Sequence, residues 1–274
     1  MPVDTKRVRG PDETQSPLLF VRLDAEPKPK PLLPRADGRS AAEPRPVFAR
    51  AGLVSQADGS VYAECGRSKV LCAVYGPREI ERKEERRLSG AALGCEFRFA
   101  PFSCKKRAAW IQGNLEKEYS SIMEQSLQPA VCLHKYPRSQ IDVYVMVLEN
   151  DGSTLAAALT CASMALAEAG IEMFDVVVGC SLRQCGATSL LDPTALEEFN
   201  AASSKGVDNG SITVALLPTL NQISGLVSKG EWEEQTSVEA IKACVEGCQK
   251  LYSVVQQCLT RSVKRKIPEF VSKA

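Results

Sequence analysis

The chain has 274 residues, of which 44% are hydrophobic and 24% are charged. These proportions are typical of a globular protein and exclude collagen-like, mucin-like and wholly disordered chains. Because 34 basic residues nearly balance 33 acidic ones, the net charge gives no evidence for a polyanionic partner, and any nucleic-acid surface must be local. The longest apolar stretch, residues 155–169, is interrupted by polar side chains and is shorter than the roughly 18 residues of a membrane span, so we expect a soluble intracellular protein without membrane contact.

The N-terminal segment, residues 1–43, holds seven prolines among charged residues and shows no sustained hydrophobic period. Such a composition predicts a flexible or extended arm. The pattern changes at Arg45-Pro46, and we therefore place one folded domain at residues 44–274.

The first half of this domain predicts strands and one helix. VFARAGLV, SVYAECG and KVLCAVYG, with the turn-forming Asp58-Gly59 after the first, predict three consecutive antiparallel strands. Residues 78–94 carry five basic and four acidic side chains without an apolar face and predict a charged loop. CEFRFAPF predicts a further strand, and the helical spacing that starts at Asn114, a predicted N-cap, predicts a helix that ends near Pro129.

The second half predicts the remaining strands and two more helices. IDVYVMVLEN is nearly continuous in apolar and β-branched residues and predicts a central strand covered on both faces. TLAAALTCASMALAEAG predicts a helix that ends at Gly170 and whose small residues permit close packing. FDVVVGCSL, SITVALLP and NQISGLV complete the sheet, and a last helix is predicted from about Glu234 to Lys266. The predicted fold class is α+β, with one mixed sheet packed by helices.

Eleven cysteines raise the question of metal sites or disulfides, but no Cys-x-x-Cys pair occurs. Six of them lie in apolar periodic segments: Cys65, Cys72, Cys161, Cys180, Cys244 and Cys248. Reduced thiols behave there as small hydrophobes, so we expect buried free cysteines in a reducing compartment. The single histidine, His134, lies in the loop HKYPR, where we expect a solvated side chain. The sequence therefore predicts no metal site, no cofactor and no histidine-based catalysis.

The strongest local candidate site is LENDGSTLAAA, where a strand turns through Gly152 directly into a helix. Backbone N–H groups at the helix N-terminus and the hydroxyls of Ser153 and Thr154 are suited to binding a phosphate or another anion. The motif is short and matches neither GxGxxG nor a Walker loop. Ser and Thr are also common helix caps, so the pattern leaves both interpretations open.

Local clusters of basic residues form a second candidate, because such clusters bind phosphate backbones even when the net charge is near zero. The cluster within residues 78–94 is interleaved with glutamates and is equally consistent with a solvated loop. The cluster at residues 261–266 suits the C-terminal end of a helix. Lys105-Lys106-Arg107 lacks acidic neighbours and is the better candidate.

Acidic residues in and after LLDPTALEE form a third candidate. Asp192, Glu197, Glu198 and Asp208 together offer carboxylates of the kind that hold Mg²⁺ in phosphoryl chemistry. Asp192-Pro193-Thr194 equally predicts an Asx-type turn that leads into a helix, and we prefer this local role.

Several spaced motifs, taken in order, resemble one family. They are DGRSAAEPRPVFARAGLVSQADGSVYAECGRSKVLCAVYGPRE, CEFRFAPFS, YPRSQIDVYVMVLENDGSTLAAALTCASMALAEAGIEMFDVVVGC and LLDPTALEE. From about Asp37 to the last helix, the chain resembles the RNase PH family of phosphorolytic 3′-to-5′ exoribonucleases, and within it the ring subunits of the eukaryotic RNA exosome. The resemblance implies an RNase PH-like fold of the ribosomal protein S5 domain 2-like type.

The resemblance also implies partners. RNase PH-like exosome subunits form a six-membered ring around an RNA channel, topped by S1/KH-type cap proteins, and this chain would form part of that wall in the nucleus, nucleolus and cytoplasm. The loop after Gly76-Pro77 resembles the channel-lining loop of the family. We therefore expect RNA contacts from its basic residues Arg78, Arg82, Lys83, Arg86 and Arg87. Lys105, Lys106 and Arg107 are RNA-binding candidates because of their local charge alone.

Residues that the family uses for phosphorolysis are replaced in this chain. Active members carry Gly-Gly-Thr-Arg where this sequence has residues 152–155, and Leu155 replaces the arginine that helps bind the attacking phosphate. Ser211 replaces an aspartate, and Asn114 and Leu115 replace an arginine pair. The resemblance thus implies a non-catalytic subunit with no catalytic residues, in which Ser153 and Thr154 serve as helix caps.

Two alternative functions remain open from the sequence. One is a working phosphate-dependent exoribonuclease, acting alone or with residues that a partner supplies across an interface. The other is an anion-binding protein that uses the turn from Gly152 to Thr154.

Overall fold

The structure is a computed structural model that describes residues 35, 37–80, 90–105, 107–108, 110–186, 188–198 and 209–273, with side chains up to Lys266. The strands are β1 (Val47–Ala51), β2 (Gly59–Cys65), β3 (Ser68–Glu79), β4 (Ala92–Phe99), β5 (Ser139–Glu149), β6 (Val178–Cys185), β7 (Thr188–Leu191), β8 (Asn209–Leu217) and β9 (Gln222–Gly230). The helices are α1 (Asn114–Leu127), α2 (Thr154–Glu168) and α3 (Glu234–Lys273), and a 3-10 turn spans Leu133–Lys135. Among the described residues, no helix has the length and apolar character needed to cross a membrane.

The strands form two sheets rather than the single mixed sheet that we predicted. The first has the order β1-β2-β3-β5-β4, in which β4 runs parallel to β5 and every other pair is antiparallel. The second has the order β7-β6-β8-β9 and is antiparallel throughout. The predicted antiparallel meander of β1, β2 and β3 is confirmed, as is the α+β class with a mixed sheet packed by helices. Short β7 was not predicted.

The three helices form a layer between the two sheets. Helix α2 contacts β2, β3 and β5 of the first sheet and β6 and β8 of the second. Helix α1 contacts β4 and β9, and α3 contacts β1 together with β6, β7 and β8. Because both faces of this layer are covered, α2 is buried on nearly all sides, as its uniformly small and apolar residues favour.

Strand β5 differs from its predicted environment. It is paired on both edges, but burial alternates along it, so that Ile141, Val143 and Val145 are buried while Tyr144 is 42% exposed. The apolar run of β5 predicted that both faces of the strand are buried. Within this single chain that prediction is wrong. The outer face of the first sheet therefore remains uncovered by the described residues.

Helix α1 protects the edge strand β4. The carboxylate of Glu116 accepts a hydrogen bond from the backbone N–H of Phe99 at 2.7 Å, and the Ser120 hydroxyl accepts one from Phe97 N–H at 2.9 Å. Glu116 also accepts the N–H of Gly113 at 2.5 Å, and Gly113 is the N-cap residue. The predicted N-cap, Asn114, therefore differs from the observed one by one position. Because side chains of α1 accept N–H groups of β4, the β4 edge of the sheet cannot pair with a further strand where α1 covers it.

The end of the predicted arm contacts the domain. Arg35 is buried against Glu197, and the carbonyl of Ala41 accepts a hydrogen bond from the backbone N–H of Leu191 at 2.9 Å. Two positions of the predicted flexible or extended arm therefore contact the folded domain. Residues 1–34 and 36 lie outside the described residues.

Candidate functional site

A cleft of about 290 Å³ lies between the inner face of the second sheet, α1 and the N-terminus of α2. Of the six positions that correspond to the family's active site in the resemblance, five line it together: Leu115, Ser153, Thr154, Leu155 and Ser211. The sixth, Asn114, begins α1 but does not line the cleft. Positions up to about a hundred residues apart in sequence thus meet at one site, as the resemblance implied.

The turn from β5 into α2 forms one wall of the cleft. Gly152 has φ +82°, and a Cβ there would lie 2.6 Å from the carbonyl oxygen of Pro193, so the position requires glycine. The Asn150 side-chain oxygen accepts hydrogen bonds from Gly152 N–H at 3.2 Å and from the Thr154 hydroxyl at 2.7 Å. The turn is therefore fixed from within by Asn150.

Ser153 and Thr154 do not cap α2 in the way that we predicted. Ser153 occupies the N-cap position in a left-handed conformation with φ +55°, and its side chain makes no capping hydrogen bond. The Ser153 hydroxyl bonds instead to the Ser181 hydroxyl, and the Thr154 hydroxyl bonds to Asn150. The prediction was wrong because the αL backbone turns the Ser153 side chain toward β6.

A carboxylate of the chain lies at the N-terminus of α2. The backbone N–H of Ser153 donates a hydrogen bond to Glu198 Oε1 at 3.0 Å. A negative charge at this position is stabilised by the helix dipole and repels a second anion that approaches the same turn. Burial raises the pKa of the Glu198 carboxyl, although the Ser153 N–H and the charges of Arg45 and Arg183 act in the opposite direction.

Two leucines give the cleft apolar surface. Leu155 is only 6% exposed and lines the cleft, whereas Leu115 is 46% exposed at the start of α1. Neither side chain has a hydrogen-bond donor.

Arg183 and Lys229 flank Ser211 across three adjacent strands. The register pairs Arg183 with Ser211 and Ser211 with Lys229, and all three line the cleft. Lys229 forms an ion pair with Glu118 at 2.8 Å, and Arg183 donates to the Asn209 side chain at 2.6 Å. Sequence reasoning missed both cations. The alternation of side chains along each strand was the available signal. The closeness of Arg183 and Lys229 to Ser211, however, depends on the pairing register of three strands, which the sequence does not give.

The acidic residues do not converge on a metal. The Asp192 carboxylate is paired with Arg45 at 2.7 Å and Glu197 with Arg35 at 2.8 Å. No group of metal ligands occurs in the part of the chain that the structure describes, and Asp208 lies outside it. The hypothesis of a Mg²⁺ site at these positions has no structural support.

The local role that we preferred for Asp192 is also wrong. Thr194 and Glu197 exchange hydrogen bonds at the start of the helical turn 195–198, with Thr194 N–H donating to Glu197 at 2.8 Å and Glu197 N–H to the Thr194 hydroxyl at 3.4 Å. Asp192 is directed to Arg45 instead, and its φ of +50° is one that Asp tolerates.

The basic residues predicted to bind RNA lie in different environments. Arg78 pairs with Asp142 at 2.5 Å and lies over the Tyr75 ring. Lys105 and Arg107 are exposed. The remaining candidates, Arg82, Lys83, Arg86, Arg87 and Lys106, lie outside the described residues. The structure thus does not bring the described candidates into one cluster.

All eleven cysteines are free, and of the six singled out from the sequence five are buried and Cys65 is half-buried. Burial raises the pKa of Cys65 to about 12 and that of Cys72 well above its usual range. Such thiols pack as small apolar groups. His134 lies in the 3-10 turn with its ring stacked on Phe174 at a centroid distance of 6.3 Å.

Two sheets around a helical layer, with a cleft between α1, the α2 N-terminus and the second sheet, define an RNase PH-like domain. The model of the RNase PH 3′ exoribonuclease family, domain 1, matches residues 43–172, and the chain belongs to this family.

Curated relatives match nearly the whole chain. The chain is 46% identical over 284 residues to the exosome complex component MTR3 of Mus musculus, covering 97% of this chain and 98% of that protein. It is 45% identical to the Homo sapiens MTR3 component, with the same coverage. It is 37% identical to the exosome complex component Rrp41 of Pyrobaculum calidifontis, covering 84% of this chain and 93% of that protein.

A solved structure agrees with the fold. Rice (Oryza sativa) Rrp46 superimposes with a TM-score of 0.73 at 24% sequence identity, covering 82% of this chain and 100% of that one. This similarity supports the arrangement of the two sheets and three helices.

Proposed function

We propose that this chain is a non-catalytic RNase PH-like subunit of the RNA exosome core ring. It contributes to the scaffold and to the RNA channel through which RNA passes for 3′-to-5′ processing and degradation. The observation that carries the proposal is the similarity to the MTR3 exosome components over essentially the full length of both chains.

The chemistry of the cleft supports the absence of catalysis. Leu155, Leu115 and Ser211 provide neither the arginine forks that bind phosphate in two places nor an acid for proton transfer. Glu198 places a carboxylate at the α2 N-terminus, where the alternative anion-binding function needs an open positive end. Lys229 is paired with Glu118, whereas Arg183 donates to the neutral Asn209 side chain and its Nε has no hydrogen-bond partner among the described residues.

The partners in this proposal are other RNase PH-like ring subunits, S1/KH-type cap subunits and RNA, in the nucleus, nucleolus and cytoplasm. A ring of unlike subunits allows one member to lose its catalytic residues while the complex keeps its function. The uncovered outer face of the first sheet, with Tyr144 and Phe48 exposed, offers apolar surface for such assembly.

Phosphorolysis provides the first test. The purified full-length chain is incubated with single-stranded RNA and inorganic phosphate, and nucleoside diphosphates are measured. We expect none, and we expect none from the double variant Leu155→Arg/Ser211→Asp, because Asn114 and Leu115 still lack the arginine pair. An active RNase PH preparation serves as the positive control. Phosphate-dependent turnover by the unmodified chain would show that it is an enzyme.

Assembly provides the second test. Native mass measurement of the chain purified from its own cells should give a complex with other RNase PH-like subunits. A chain that is recovered only as a monomer would contradict the proposal.

A further inference from the structure

A second cleft, of about 580 Å³, opens beside the end of β5 on the other side of the Asn150 turn. Its lining includes three basic side chains and one aromatic ring: Arg67, Lys69, Lys105 and Phe102. Of the residues that line the two clefts, Asn150 is common to both. The second cleft is therefore a separate surface next to the degenerate site.

We infer that the second cleft binds single-stranded RNA, with backbone phosphates at Arg67 and Lys105 and one base against Phe102. The inference rests on the proposed function, because it assigns part of the RNA path that a channel subunit would present. It concerns different residues from the charged loop at 78–94.

Two cations of the cleft, Arg67 and Lys105, lie outside its ion pairs, although the charge of Arg67 also acts on the Asp151 carboxylate. Lys69 is paired with Glu149 at 2.9 Å. Neither Arg67 nor Lys105 forms an ion pair with any described residue, and both are exposed. The remaining acid that lines the cleft is the half-buried Asp151, so the lining carries a net positive charge. Two exposed cations in a concave surface suit a phosphate backbone.

The aromatic side of the cleft is suited to a base. Phe102 is 65% exposed, although exposing a phenyl ring to water is unfavourable. Bases stack on such rings in single-strand binding proteins without regard to sequence. The backbone next to the ring is fixed, because Ser103 is buried, its carbonyl accepts Asn150 N–H at 3.0 Å and its N–H donates to the Ala100 carbonyl at 2.9 Å.

Binding variants separate the two kinds of contact. Full-length chain is titrated with fluorescent oligouridylate over a range of salt concentrations. Arg67→Ala/Lys105→Ala should lower the slope of log affinity against log salt by about 1.4, since each phosphate contact to a single strand contributes about 0.7. Phe102→Ala should weaken binding roughly tenfold and leave the slope unchanged. Lys242→Ala/Lys250→Ala removes the same charge from exposed positions on α3 and should change neither quantity.

A polyanion without bases identifies what the cleft recognises. Heparin binding should weaken in Arg67→Ala/Lys105→Ala but not in Phe102→Ala. If Phe102→Ala binds oligouridylate as the unmodified chain does, or if the α3 control loses as much affinity as the cleft variant, the inference is overturned.

Cys104 gives an independent measurement. It lines the cleft and is the exposed cysteine, whereas the other ten are buried or half-buried. Oligouridylate should slow its alkylation by N-ethylmaleimide, measured by peptide mass spectrometry, and an unchanged rate at saturating RNA would contradict the inference. Assembly of the same preparations with RNase PH-like subunits is measured separately, so that failure of the ring proposal is distinguished from failure of the cleft.

Discussion

The Arg45 side chain and the Asp192 carboxylate form two hydrogen bonds, of 2.9 and 2.7 Å, and the same carboxylate accepts the Arg45 backbone N–H at 2.9 Å. The guanidinium also donates to the carbonyls of Asp151 and Gly152. Arg45, which precedes β1, thus joins the turn at the α2 N-terminus to the segment that carries Glu198. The ion pair therefore connects two segments that line the cleft, at Ser153 and at Glu198.

Asp192→Asn should destabilise the domain by about 3 kcal/mol at neutral pH, because removing one partner leaves a buried charge unpaired. Burial opposes ionisation of Asp192, but hydrogen bonds from Arg45 and its charge outweigh burial and lower the pKa of the carboxyl. The stabilisation is therefore fully present above the unfolded pKa of about 3.9 and is lost as the pH falls through the lower folded value. Urea unfolding at several pH values measures this difference.

Asp37→Asn is the matched control for that experiment. Asp37 pairs with Arg39 at 3.2 Å, but its side chain is 47% exposed, so the substitution should cost less than about 1 kcal/mol. Equal losses in the two variants would show that burial does not strengthen the Arg45 pair.

Glu198→Gln should stabilise the domain at neutral pH. The amide oxygen can still accept the Ser153 N–H, while the cost of ionising a buried carboxyl disappears. Because the folded pKa is raised, the unmodified chain loses stability as the pH rises above the ordinary carboxyl pKa of about 4.3, and the advantage of Gln vanishes below it.

The same unfolding series can include Glu118→Gln, which alters an exposed carboxylate paired with Lys229 and should change stability by less than about 0.5 kcal/mol. A destabilised Glu198→Gln at pH 7 would mean that the negative charge itself is needed at the α2 N-terminus.

Gly179→Ala should destabilise the domain by about 1–3 kcal/mol through overpacking. A Cβ at this β6 position would lie 2.5 Å from the carbonyl oxygen of Ala156 in α2, and backbone cannot move aside as a flexible side chain does. Thermal unfolding measures the loss. Gly113→Ala is the comparison, since its Cβ would approach only the Glu116 carboxylate, at 3.7 Å, and similar effects would exclude overpacking.

A prediction for the charged loop rests on the sequence. Replacing Arg82, Lys83, Arg86 and Arg87 together should weaken RNA binding by the assembled complex and reduce its salt dependence, without changing sequence preference. The interleaved glutamates Glu81, Glu84 and Glu85 would neutralise the loop if they pair locally. A variant that assembles normally with an unchanged salt slope would identify the loop as a solvated connection.

Local patterns predicted most elements of the fold. The meander, α1 and α2 follow from alternation, helical spacing and the stop at Gly170, all of which act within a few residues. The division of the strands into two sheets could not be predicted from local patterns, because it depends on pairing between distant segments such as β6 and β8. The uncovered face at Tyr144 was missed because an apolar residue type does not reveal whether a neighbour covers it.

The sequence predicted some residues of the cleft and missed others. The family pattern brought Leu155 and Ser211 to one place, although they are far apart in sequence. It did not reveal Glu198 at the helix terminus or Lys229 beside Ser211, because both positions are set by tertiary packing. Capping by Ser153 failed for a related reason, since its backbone conformation is imposed by the turn at Gly152.

The position of α2 between the sheets has a consequence for how the chain can be divided. The family model ends at residue 172, shortly after α2, but the far side of that helix is covered by β6 and β8, which follow it in sequence. A fragment that ends there would expose the side of α2 that faces β6, where Ala156 lies against Gly179, to water. Both sheets should therefore melt in one cooperative transition. A nascent chain cannot complete its core until α3 has been synthesised, because Cys244 and Cys248 of that helix belong to the core.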